Sequence, residues 1–402
     1  MCRFTGACLI GCTLLLAVCS GDFGLAADED IRLTTGDPAQ LGMSAQRLVV
    51  IDDIVQEGLR DKKMPGAVVV IGYRGHIVYR KAFGQRQLEP TSEPMTLDTV
   101  FDLASLTKPI ATATSIMQLV EAGKIGLDDA VVKHLPAFGN HGKQSITIRH
   151  LLTHQGGLIA DNSMKDFANG REKSIENLMS LEPLAAPSER FIYSDVGFMV
   201  LGELVAVVSG QSLDEYTRTH LFEPLGMRET MYRPTQLPAD RFASTEQRDG
   251  HWMRGEVHDP RAYALNGVAG HAGLFSTADD LARFAQALLN GGELGGTRVL
   301  KPETVTLMTS HQPIPGGGIR GLGWDKRSGF SINRGDLMSP SACGHGGFTG
   351  TALWFDPKQQ LFVIFLSNRV HPKGEGSVNP LIGRINTVAA AAIREFESQA
   401  GD

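Results

Sequence analysis

Ser105-Leu106-Thr107-Lys108 sets a hydroxyl and an amine three residues apart, in the run Phe101-Asp-Leu-Ala-Ser-Leu-Thr-Lys-Pro. If Ser105 opens a helix, Lys108 lies one turn on, on the same face. A serine hydroxyl is a weak nucleophile until a base takes its proton. A lysine can be that base when burial or neighbouring positive charge depresses its pKa. The N–H groups of a helix start favour the oxyanion formed when the hydroxyl attacks a carbonyl. The same tetrapeptide also fits a plain N-cap followed by a solvated lysine. Two further patches bear on the choice. Tyr193-Ser194-Asp195 stands just before an apolar run. A phenol can relay a proton where a cation favours its phenolate; the alternative is a core aromatic followed by a helix cap. Gly344-His345-Gly346-Gly347-Phe348-Thr349-Gly350-Thr351 opens a strand. Its glycines let backbone approach a ligand, which can add alongside such a strand; the alternative is a turn with His345 on the surface.

The surrounding pattern says what positions these residues. Leu48, Ile51, Ile54, Val55 and Leu59 recur at helical spacing over Ser44–Arg60, with Ser44 as N-cap. Ala67–Tyr73 and His76–Phe83 are Val/Ile-rich runs joined by Arg74-Gly75, a hairpin signal. Helices are expected over Ala104–Glu121, Gly197–Val208 and Thr277–Leu289, the last stopped by Gly291-Gly292. Strands return at Thr349–Phe355 and Leu361–Ser367, and Pro380–Ser398 closes the chain as a helix. The order implies an α+β fold: an antiparallel sheet made from both chain ends, flanked by helices, with an inserted, mainly helical region. One domain is expected over 27–402, its α/β part at 27–93 and 293–402 and its helical part at 94–292.

Taken together, Ser-x-x-Lys, Tyr-Ser-Asp and His-Gly-Gly resemble the three motifs of the penicillin-recognising serine hydrolases. That superfamily holds β-lactamases, D,D-peptidases and related esterases. Leu151-Leu-Thr-His-Gln-Gly-Gly-Leu158 and Gly267-Val-Ala-Gly-His-Ala-Gly-Leu-Phe-Ser-Thr-Ala-Asp-Asp-Leu-Ala-Arg-Phe284 resemble the same group. The resemblance runs from about Leu41 to Phe396 and implies a β-lactamase/transpeptidase-like fold. It implies that Ser105 is acylated, that Lys108 is its proton partner, and that Tyr193 is the general base, as in the class C branch. Asp195 would contact substrate or Lys108. The N–H groups of Ser105 and Phe348 would form the oxyanion hole, and His345, Gly346 and Gly347 the opposite wall. Many penicillinases have Lys and Thr where this chain has His345 and Gly346. A neutral imidazole anchors an anion less well than an ammonium, which speaks against efficient β-lactam turnover. The implied activity is amide, peptide or ester hydrolysis, on cell-wall peptides (D,D-peptidase, D-aminopeptidase or amidase) or as a carboxylesterase. A β-lactamase, and a penicillin-binding sensor that acylates without turnover, are the alternatives.

The chain has 402 residues, 42% of them hydrophobic, and a net charge of −6, which does not suit a nucleic-acid partner. A small-molecule or peptide substrate, including peptidoglycan fragments, is the expected partner. Arg3, the apolar run Ala7–Cys19 and the small residues before Ala27 read as a secretory signal over 1–26, too short to span a bilayer. The protein is therefore expected to be exported, periplasmic or secreted. Lipid anchoring at Cys19 is the weaker alternative, since Val18 is bulky for such a site. Four of the five cysteines fall within the signal, which leaves Cys343 as a small packed residue. His150, His154, His258 and His271 are expected to bond loop backbone rather than metal, and no cofactor is expected.

Overall fold

Nine strands form the central sheet. In chain order they are β1 (Gly66–Tyr73), β2 (His76–Gln87), β3 (Glu93–Pro94), β4 (Gln312–Ile314), β5 (Gly318–Arg320), β6 (Asp325–Arg327), β7 (Cys343–Gly347), β8 (Thr351–Asp356) and β9 (Leu361–Ser367). Their spatial order is β4-β5-β6-β7-β8-β9-β1-β2-β3, antiparallel throughout. The two chain ends meet where β1 pairs with β9, from Ala67↔Ser367 to Tyr73↔Leu361. The structure is a computed structural model and describes Met1 and residues 33–393. The expected export signal lies outside the described residues apart from Met1; the closing helix expected over Pro380–Ser398 ends at Ala392, where Ile393 turns extended and pairs with Met43.

The two-residue period of a strand sorts the core into two layers. Val68 and Val70 of β1 face one cluster, while Ala67, Val69 and Ile71 face the other. In β9, Phe362, Ile364 and Leu366 face the first cluster and Leu361, Val363 and Phe365 the second. Helices α1 (Ala45–Arg60) and α5 (Asn379–Ala392) pack together on the second layer. Ser44 caps α1 by accepting from the Arg47 N–H. Burying Leu48, Ile51, Ile54 and Val55 of α1 contributes roughly 6–12 kcal/mol against leaving them in water. The first layer is shared with α2 (Thr114–Glu121), the apolar α3 (Asp195–Ser209) and α4 (Ala278–Leu289).

Two further expectations change. The run from Ala104 to Glu121 is not one helix. It is a 3₁₀ turn at Ala104–Leu106, a π-helical segment at Lys108–Ala113, and then α2. Ala104 has φ +45°, which breaks a continuous start, and Pro109 has no N–H to donate into the ladder. The strand expected from Thr349 begins at Thr351, because Gly350 turns at φ +101° and donates to the Gly347 carbonyl. The inserted region also holds a small ribbon in which Phe101–Asp102 and Met231–Tyr232 flank Leu274–Ser276. That ribbon fixes the segment leading into Ser105.

Candidate active site

A left-handed turn presents Ser105. Ala104, just before it, costs about 1–2 kcal/mol in that conformation. Buried Asp102 holds the turn: one oxygen accepts from the Ala104 N–H at 2.8 Å, the other from the His258 N–H at 2.7 Å. Burial raises the Asp102 carboxyl above its usual range, while these two N–H bonds act to lower it. The wide π-helical turn then carries Lys108 inward, where it is 0% exposed.

The Lys108 ammonium is surrounded by acceptors. It donates to Ser105 Oγ at 2.9 Å and to the His271 carbonyl at 3.1 Å, and pairs with Asp195 Oδ1 at 2.6 Å. Tyr193 adds a further contact, its ring centre 5.1 Å from Nζ. Burial by itself would pull this amine down. Asp195 and Tyr193 outweigh burial and hold it at about 12. Lys108 is therefore an ammonium at neutral pH that donates a hydrogen bond to Ser105 Oγ, since its pKa is not depressed as a free base would need. Asp195 is not the cap of α3; Ser194 is, accepting from the Gly197 N–H. Asp195 stands in the first helical turn. Burial raises its carboxyl, but Lys108 and His271 more than offset that and keep it below the usual range.

The Gly267–Phe284 segment reaches this site through its backbone. Leu274 N–H donates to Thr107 Oγ1, Thr112 Oγ1 donates to the Gly270 carbonyl, and the His271 carbonyl takes Lys108. A Cβ on Gly270 would run into the Phe198 carbonyl of α3, so only glycine permits the approach. The His271 ring lies 2.9 Å from Asp259 Oδ1. Ligand atoms of Asp195, Asp259 and His271 lie within 4.8 Å of one another, which is compatible with a small cation. The Lys108 ammonium already supplies a positive charge at Asp195 Oδ1, so the cluster has a cation of its own.

The opposite wall is β7 and the turn after it. Thr349 Oγ1 donates to the Asp102 carbonyl at 2.7 Å, and Thr351 Oγ1 to the Leu103 carbonyl at 3.0 Å. These bonds stitch the turn carrying Phe348 to the segment carrying Ser105. Gly347 sits at the seam; a Cβ there would collide with the Leu103 carbonyl and Thr351 Oγ1. His345 is buried, not on the surface, at 5% exposure. Its Nδ1–H donates to the Gly346 carbonyl at 2.8 Å, which leaves Nε2 without a proton. Burial, then Arg320 and Lys108, push its pKa well below the ordinary value, so the ring is neutral. The Phe348 side chain is 60% exposed, between the His258 ring at 5.6 Å and the Arg369 guanidinium at 4.7 Å.

Ser105, Tyr193, His345, Gly346, Gly347 and Phe348 line one cleft of about 330 Å³, together with Arg320, Phe330, Asn333 and Arg369. A larger hollow of about 440 Å³, lined by Arg80, Asp98, Asp279 and Arg283, contains none of the expected site residues. Asp102, Asp259, His271 and Arg320 were not picked out as parts of the site by the sequence motifs. Other histidines divide. His154 Nδ1 accepts from the Ser194 N–H at 3.0 Å and so fixes Tyr193 from behind, as expected of a loop-bonded ring. His258 and His271 bond carboxylates instead, Glu246 at 2.5 Å and Asp259. Cys343 is packed and buried, with Lys326 Nζ 3.1 Å from its sulfur.

The sequence model of the Beta-lactamase family matches residues 51–386. A Salmonella schwarzengrund protein named "Putative D-alanyl-D-alanine carboxypeptidase" is 33% identical over 386 residues, covering 87% of this chain and 89% of its own. Among solved structures, EstCE1, "a hydrolase with promiscuous acyltransferase activity", matches with TM-score 0.71 at 25% identity, over 86% of this chain and 99% of its own. A class C beta lactamase shares the fold with TM-score 0.68 at 19% identity, over 86% of this chain and 97% of its own. The chain belongs to the Beta-lactamase family and is a hydrolase of that fold.

Proposed function

We propose that this hydrolase cleaves an amide or peptide bond of cell-wall peptides, in the manner of a D,D-carboxypeptidase or amidase, through an acyl-enzyme on Ser105. The observation that carries this is Lys108: fully buried, held cationic by Asp195, and donating to Ser105 Oγ at 2.9 Å. Tyr193 then takes the Ser105 proton as Oγ adds to the scissile carbonyl. The oxyanion forms against the Ser105 and Phe348 N–H groups. Collapse breaks the C–N bond, the departing amine receives the proton from Tyr193, and water releases the acid by the same steps. The Salmonella relative's name supports a D-alanyl peptide as substrate. A carboxylesterase reading is favoured by one observation, the exposed Phe330 and Phe348 rings at the cleft mouth, which suit an apolar acyl or alcohol group. Efficient β-lactam hydrolysis has less support, since the residue standing where many relatives have a lysine is a neutral His345. Residues 1–26 support export, so that the substrate is met outside the cytoplasm.

The test is a panel of a D-Ala-D-Ala peptide, a muropeptide amide, p-nitrophenyl butyrate and nitrocefin, run beside Ser105→Ala. Peptide or amide turnover is expected to be the fastest, and Ser105→Ala to lower kcat by about 10³-fold or more. Full activity in Ser105→Ala would sink the acyl-enzyme. Nitrocefin turnover far above the rest would make the protein a β-lactamase. A fluorescent penicillin that never leaves Ser105 would make it a sensor.

A further inference from the structure

Ser105 and Phe348 reach the cleft from opposite walls. A hole made of their two N–H groups works only while both stay at hydrogen-bond distance from the oxyanion. His258 touches the supports of both. On the Ser105 side, the His258 N–H donates at 2.7 Å to one oxygen of Asp102, whose other oxygen accepts from the Ala104 N–H at 2.8 Å. On the Phe348 side, the His258 ring stacks on the Phe348 ring, with centroids 5.6 Å apart and planes 26° from parallel. That ring is held in turn, since its Nε2 bonds Glu246 Oε2 at 2.5 Å. So is the backbone: the Arg248 guanidinium donates to the Val257 and His258 carbonyls at 3.0 and 2.9 Å. The Arg369 guanidinium lies 4.7 Å from the Phe348 ring centre, fixed by the Gly374 and Gly376 carbonyls at 3.2 and 3.0 Å.

Phe348 is 60% exposed, so little core packing keeps its backbone in place. The Thr349 and Thr351 hydroxyls tie the residues after it to the Asp102 and Leu103 carbonyls, but they leave the Phe348 ring unheld. We infer that His258 is a positioning residue for the oxyanion hole: its N–H steadies the turn that presents Ser105, and its ring holds Phe348, so that one residue ties the two donors together. This rests on reading Ser105 as the acylated residue and the Ser105 and Phe348 N–H groups as the hole. His258 is not among the residues lining the cleft, so it acts through these two neighbours rather than on substrate. A stack of this kind is worth up to about 10-fold in the balance between a held and a displaced ring. The hole acts on the tetrahedral species and not on bound substrate, so that factor belongs to kcat rather than to KM.

The experiment measures kcat and KM for p-nitrophenyl butyrate and, by calorimetry, the Kd of phenylboronic acid. The protein, His258→Ala, His258→Phe and Ser105→Ala are compared. The boronate takes up the serine oxygen on boron and so mimics the tetrahedral species, with an oxygen in the hole. His258→Ala keeps the N–H and loses the ring. Its kcat is expected to fall by about 10-fold with KM within about twofold, and its Kd to rise by about the factor that kcat loses. His258→Phe restores the stack without the Glu246 bond and should recover most of both losses. A purely structural role would lower the amount of folded protein, which scales kcat and leaves Kd unmoved. Where the ester is cleaved too slowly to follow, the Kd ratio decides. Parent-like kcat and Kd in His258→Ala, a loss confined to kcat alone or to KM alone, or a His258→Phe as impaired as His258→Ala overturns the assignment while leaving Ser105 in place. A parent that neither cleaves the ester nor binds the boronate, or a Ser105→Ala that does either as well as the parent, overturns the Ser105 reading and the His258 assignment with it.

Discussion

On the helical wall of the cleft the buried cation, Lys108, is engaged by Ser105 Oγ, the His271 carbonyl and Asp195. On the sheet wall the buried cation, Arg320, has no hydrogen-bond acceptor among the described residues and only Asp325, 3.6 Å away, as a counter-charge. Lys108 lies behind Ser105 and Arg320 borders the cleft, and both are 0% exposed, so burial does not explain the difference. Saturation fixes geometry: Lys108 cannot turn away from Ser105 without abandoning a charged partner in a low-dielectric site. Open donors do the reverse and leave binding free energy to be gained by a ligand. The helical wall thus holds its cation by saturation, and the sheet wall does not.

Removing a partner from the saturated wall should have the largest effect. In Asp195→Asn, Lys108 stays buried without its carboxylate partner, and of the two groups that oppose burial only Tyr193 remains. We expect kcat/KM to fall by about 10²-fold or more and stability by about 3 kcal/mol, read by steady-state kinetics and urea unfolding. The sign with pH follows from the depressed Asp195 pKa. Its contribution is present above the unfolded value of about 3.9 and is lost only as pH falls through the lower folded value. The parent should therefore keep its advantage over Asp195→Asn at pH 5. Equal activities would mean that Lys108 needs no saturation, and the contrast between the walls would lose its basis.

The seam between the walls comes next. Gly347→Ala pushes a Cβ into the Leu103 carbonyl and Thr351 Oγ1, the contacts that set Phe348 beside Ser105. We expect kcat to drop by about 10-fold or more with KM little changed, as for a displaced oxyanion donor. A change in KM alone would place the oxyanion donors elsewhere.

Residues whose role follows from local pattern were legible in the sequence. The two-residue period of β1 and β9 and the Ser44 and Thr277 caps stand where the pattern puts them, and Ser105, Tyr193 and His345 of the three motifs line one cleft. What escaped depends on events that one residue does not signal. Arg320 ends its strand at a register shift, and the glycines on either side, Gly318 and Gly321, do not say which way the side chain turns. Ala104 at φ +45° is held there by Asp102 and the His258 N–H, a contact spanning 156 residues. His271 acts through its carbonyl, which any residue type carries. The charge of Lys108 is set by Asp195, and the spacing shows Ser105 but cannot show how closely Asp195 approaches.

The smallest effect tests whether the sheet wall is as electrically quiet as its neutral histidine implies. His345 and His154 are both buried with pKa values pushed well below normal, by burial first and then by Arg320 and Lys108. In the unfolded chain each titrates near 6.5. Above that pH neither state binds the proton and the groups contribute nothing to pH dependence. Below it the unfolded chain takes up two protons that the fold refuses, so stability falls as pH falls, by about 1.4 kcal/mol per unit for each histidine. His345→Gln keeps a side chain of similar reach and removes one of the two. The slope of unfolding free energy between pH 6 and pH 5 should therefore become shallower by about 1.4 kcal/mol per unit in the variant. An unchanged slope would show that His345 already accepts its proton in the folded state. His345 would then be a cation facing the cleft beside Arg320 in the acid range.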